Sequence, residues 1–68
     1  MRFFYEINYG YLDVIDNVVK VEIRKINNKK TFIIHTSSGE KITKNMNDIS
    51  LAYWTDTTTM TEYFRYTR

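Results

Sequence analysis

Apolar and polar residues alternate from Val18 to Ile26, where Val19, Val21 and Ile23 are interleaved with Lys20, Glu22 and Arg24. A period of two is what a strand buried on one face requires, because successive side chains point to opposite sides. Asn27-Asn28-Lys29-Lys30 then reads as a tight hairpin turn, since asparagine tolerates the left-handed backbone such turns need. Residues 31–36 are the return strand, with Phe32 and Ile34 on one side and Ile33 and His35 on the other. Ser37-Ser38-Gly39 is a second turn, and residues 40–44, centred on Ile42, are a third strand. Residues 18–44 are therefore predicted to form a three-stranded antiparallel meander. Its buried face should carry Val19, Val21, Ile23, Phe32, Ile34 and Ile42.

The flanking segments repeat the pattern. Phe3, Tyr5 and Ile7 alternate with Phe4, Glu6 and Asn8 up to a turn at Tyr9-Gly10, and a short strand over Tyr11–Ile15 ends at Asp16-Asn17. Further on, Ile49, Leu51 and Tyr53 alternate with Ser50, Ala52 and Trp54, which predicts a strand, with a helix capped by Asp48 as the alternative. The tail offers two readings. Thr59-Met60-Thr61-Glu62 matches a capping box leading into a short helix, whereas Tyr63, Phe64 and Tyr66 are strand formers. The fold class is mainly β: a small five-stranded antiparallel sheet or a half-open barrel, with a short C-terminal helix as an option. In size the SH3-like barrels are the nearest architecture, a likeness of shape.

Length makes this one domain, residues 1–68, with no room for a second core. Such a chain buries only about 60% of the surface its unfolded form exposes, so its packing must be dense or shared with a partner. Eleven aromatics could supply a dense core. With no cysteine, a disulfide is impossible, and His35 alone cannot make a metal site. No cofactor is expected. The first residues lack the apolar core of a secretory signal and no run approaches a membrane span, so a cytoplasmic protein without membrane contact is expected. Lys, Asn and Ile together make up twenty residues, a composition that AT-rich coding favours and that points to an AT-rich bacterium, or to a phage or other mobile element living in one.

The chemistry of catalysis is missing. Nucleophilic catalysis needs a nucleophile, a base and a group orienting the base, and His35 is the only histidine. Two glycines, Gly10 and Gly39, cannot build a phosphate-cradling loop. The expectation is a binding protein, not an enzyme, with no small-molecule substrate.

Two binding classes compete. Net charge is only +2, yet residues 20–45 hold seven cations against two acids. If Val19, Val21 and Ile23 point inward, Lys20 and Arg24 point outward beside Lys41, with Lys29 and Lys30 at the hairpin end. These five are the candidate nucleic-acid contacts. Glu22 in their midst and the lack of an aromatic to stack bases count against that reading. The favoured class is protein binding, by a second copy of the chain or by a host protein. Adjacent aromatics face opposite ways on a strand, so Tyr53 with Trp54 and Tyr63 with Phe64 supply more apolar area than one core can take. Tyr53, Trp54, Tyr63, Phe64 and Tyr66 are the candidate interface.

Overall fold

The computed structural model describes the backbone of residues 1–55 and 62–68, and the side chains of residues 1–54 and 65–68. Seven strands follow in order: β1 (Arg2–Ile7), β2 (Tyr11–Ile15), β3 (Val18–Ile26), β4 (Lys29–Thr36), β5 (Lys41–Asn45), β6 (Ile49–Thr55) and β7 (Glu62–Thr67). A single 3₁₀ turn, Met46–Asp48, leads from β5 into β6 and is capped by the Asn45 side chain, which accepts from the Asn47 N–H at 2.9 Å. The strands make two antiparallel sheets, ordered β2-β1-β6-β7 and β3-β4-β5. Among the described residues no helix is long and apolar enough to cross a membrane.

The meander over residues 18–44 is present as the alternation implies. Its first turn is tighter than the motif suggested, because only Asn27 and Asn28 form it, at φ 52° and 63°. Both angles lie in the left-handed region of a two-residue hairpin turn that matches strand twist. Lys29 and Lys30 already belong to β4. Gly39, at φ 91°, serves the second turn.

Three expectations need correction. Among the described residues the strands number seven and make two sheets, not one five-stranded sheet, and the tail adds a strand to those the alternation predicts. That tail is not a helix: Glu62–Thr67 pairs with β6, and Tyr66 packs against the core. Residues 59–61 of the capping-box pattern lie outside the described residues. Finally, Val19 is 59% exposed and Ile23 is 43% exposed. The register explains Val19, because Val18 pairs with Thr36 and Lys20 with His35, leaving Val19 as the extra residue of a bulge. Val18 takes the buried place instead. Ile23 does share a face with Phe32, but it lies nearer the hairpin end, where it stays partly exposed.

The core lies between the two sheets. Phe3, Tyr5, Ile49 and Ala52 from one meet Val18, Phe32 and Ile34 from the other, with Met46 between β5 and β6. Phe32 is the hub: Phe3 meets it edge-on at 5.4 Å, Tyr66 at 5.7 Å and Trp54 at 6.5 Å. Two reciprocal backbone hydrogen bonds of 2.9 Å, Met1 to Val18 and Val18 to Met1, join the sheets at one corner.

Candidate functional site

Each sheet has one face turned to the core and one turned outward. On the four-stranded sheet the outer face is set by register: Phe4 stands opposite Val14 on one side and Tyr53 on the other, and Tyr53 stands opposite Arg65. The next row is Leu12, Glu6, Leu51 and Thr67. Apolar side chains thus run across three strands with no layer of the described residues above them. Leu12 is 69% exposed and Val14 40%, and a shallow groove of about 330 Å³ lies between Phe4, Leu12, Asp13, Val14 and Tyr53. The Phe4 and Tyr53 rings stack at 4.9 Å, and the Arg65 guanidinium sits 5.3 Å from the Tyr53 ring centre.

Charged residues border this face. At one end of β1, Arg2 pairs with Asp16 at 2.7 Å; at the other, the carboxylate of Glu6 accepts the Ser50 hydroxyl at 2.7 Å. Ser50 is the bulge residue of β6, and its oxygen also accepts the Tyr9 N–H at 2.9 Å. On the inner side, Tyr5 donates to Asp13 at 3.2 Å. Burial, then the Asp13 charge and hydrogen bond, push the Tyr5 phenol above its ordinary pKa.

The five aromatics singled out from the sequence do not form one patch. Tyr53 is on the outer face. Trp54 and Tyr66 face inward and pack against the core, with Trp54 stacked on Phe3 at 5.7 Å. The side chains of Tyr63 and Phe64 lie outside the described residues. Phe4, Leu12, Val14 and Leu51 were missed, and the signal that could have found them is the alternation of β1, β2 and β6 read for its outward set.

The meander's outer face is the second exposed surface. The row at one end of it is Lys20, His35 and Lys41, side by side on three strands. Below it, Glu22 pairs with Lys20 at 2.6 Å and Arg24 at 3.1 Å, and lies 3.7 Å from the buried, unbonded Nε2 of His35. The hydrogen bond from Lys20, with the charges of Arg24, Lys20 and His35, holds the Glu22 carboxyl below its ordinary pKa despite partial burial. This network covers Ile33 and Thr31, which are buried although they face outward. Lys20 and Arg24 are therefore occupied with Glu22, whereas Lys29, Lys30 and Lys41 have no ion pair among the described residues. The five basic residues do not share a face either: Lys20, Arg24, Lys29 and Lys41 lie on the outer one, and Lys30 on the other.

No known protein family, curated protein or solved structure matches the chain. The functional reading rests on these two faces. Among the described residues no three His, Cys, Asp or Glu side chains gather as metal ligands.

Proposed function

We propose that the protein is a non-catalytic binding module that acts through protein contact, and that the occupant of its exposed four-stranded face is a second copy of the chain. The observation that carries this is the uncovered row of Val14, Phe4 and Tyr53 with Leu12 beside it. Contiguous apolar surface of this kind on a small domain marks an interaction site.

Charge along β1 favours a second copy over an unrelated partner. Arg2 and Glu6 stand on the same face, two residues either side of Phe4. Two such faces stacked about a two-fold axis through the Phe4 row, with strands reversed, bring Arg2 of each copy over Glu6 of the other. Phe4 then lies over its own counterpart. Such self-complementarity is what a two-fold interface demands, and face-to-face sheets about 10 Å apart let the side chains interdigitate. We read the architecture as a half-open barrel of SH3-like shape. The return of β6 to β1 after the meander and the Met1–Val18 corner support that reading.

Solution mass by light scattering at micromolar concentration tests the proposal. A dimer is expected, and Leu12→Glu should return it to a monomer without altering the far-ultraviolet β signal. A wild-type monomer at tens of micromolar removes self-association and leaves the face to a different protein.

A further inference from the structure

We propose that the tip of the β3–β4 hairpin is a basic ribbon that enters the major groove of duplex DNA. The hairpin outruns its sheet. The last pairing of β5 joins Asn45 to Thr31, so Lys25, Ile26, Asn27, Asn28, Lys29 and Lys30 project as two strands with no third beside them among the described residues. All six residues are exposed. The overhang of three residues per strand reaches about 10 Å at 3.3 Å per residue. The major groove is about 8.5 Å deep and about 12 Å wide, and it admits a two-stranded ribbon.

Charge points the same way. From Ile23 to Gly39 the chain has no acidic residue. Lys25 stands directly opposite Lys30, an arrangement that costs stability because like charges face each other across the pair. Among the described residues neither these two nor Lys29 has an ion-pair partner, in contrast to Lys20 and Arg24, which share Glu22. A repulsive, unneutralised pair at an exposed tip suits an anionic partner. The two faces of the ribbon both carry cations, Lys25 and Lys30 on one and Lys29 on the other. A ribbon between two phosphate walls needs cations on both faces, whereas a sheet lying on one backbone needs them on one. The deep, narrow major groove of A-form RNA excludes such a ribbon, so the partner is B-form DNA.

The test is fluorescence anisotropy with a labelled 20-base-pair DNA duplex, repeated from 50 to 200 mM salt. With three phosphates neutralised, log affinity should fall against log salt with a slope of about −2.7, a loss of about fortyfold over that range. Lys29→Glu with Lys30→Glu should reduce the slope to about −0.9 or abolish binding. Its melting temperature should be unchanged or higher, because a carboxylate at position 30 would face Lys25. If that variant does not fold, Lys25→Gln with Lys30→Gln must show the same loss. Lys41→Glu, on the sheet face away from the tip, should bind as the wild type does. Four results overturn the proposal: no duplex binding at 50 mM salt, unchanged affinity in the tip variants, loss through Lys41→Glu instead, or single-stranded DNA or duplex RNA bound as tightly as duplex DNA.

Discussion

Phe4 and Tyr53 stack their rings across β1 and β6 at 4.9 Å, 13° from parallel, on the side of the sheet that faces away from the core. Each is only half-buried. An aromatic pair of this kind contributes about 0.5–1.5 kcal/mol beyond its area. It therefore holds a flat apolar surface ready for contact at little further cost in side-chain freedom. The guanidinium of Arg65 extends that surface to β7.

Charge reversal distinguishes the two-fold stack from other contacts. Arg2→Glu alone and Glu6→Arg alone should each weaken self-association by roughly tenfold, since exposed ion pairs are worth up to about 1 kcal/mol each and two per dimer become repulsive. Mixing the two variants should restore a heterodimer. One copy then presents carboxylates at both positions and the other presents guanidinium groups at both. Light scattering of the separate and mixed samples reads this, and a mixture that stays monomeric excludes the antiparallel stack.

Phe32 supports both sheets at once. Truncating it to alanine removes contacts to Phe3, Trp54 and Tyr66 together, at a cost of about 3–5 kcal/mol. In a domain this small that is most of the stability, so Phe32→Ala should be largely unfolded by circular dichroism at 25 °C. A folded variant melting where the wild type melts would mean that the hub lies elsewhere.

The meander was legible because alternation and turn residues agree within one contiguous stretch. What escaped is non-local. The bulge at Val19 inverts one residue of an otherwise regular pattern, and it adjoins the Met1–Val18 corner, a contact between positions far apart in sequence. Alternation around residues 49–54 identified a strand, but not that it would pair with β1 and turn Tyr53 outward and Trp54 inward. The outward apolar set of β1 and β2 was open to view, yet it reads as interface only once the inner face is known to be filled by Phe3, Tyr5, Trp54 and Phe32.

Acid should loosen the meander through Glu22. Its folded pKa lies below the ordinary value of 4.5, so the carboxylate network stabilises the fold in full above about pH 4.5. That contribution is lost as pH falls through the lower, folded value, where Glu22 takes up its proton. The melting temperature of the wild type should drop between pH 5 and pH 3. Glu22→Gln should melt lower at pH 7 and show a shallower drop over the same interval. Parallel acid profiles for the two proteins would remove Glu22 as a source of the dependence.

Neighbours in sequence, Tyr53 and Trp54 should fail in opposite ways. Trp54 stacks on Phe3 and meets Phe32 edge-on between the two sheets, so Trp54→Ala should cost about 3 kcal/mol of stability. Any loss of association would then follow from unfolding. Tyr53 contributes to no inner contact of that kind: its ring lies on Phe4 and under Arg65, outside the core. Tyr53→Ala should lower the melting temperature by about 4–8 °C, as the loss of one exposed stacked pair is worth about 1 kcal/mol. Yet it should leave the protein monomeric, because the ring sits on the proposed two-fold row. Denaturant midpoints and solution mass, measured together on both variants, separate the outcomes. If Tyr53→Ala still dimerises while Trp54→Ala, refolded at low temperature, does not, the contact lies on the inner aromatic side and the outer face is ordinary solvated sheet.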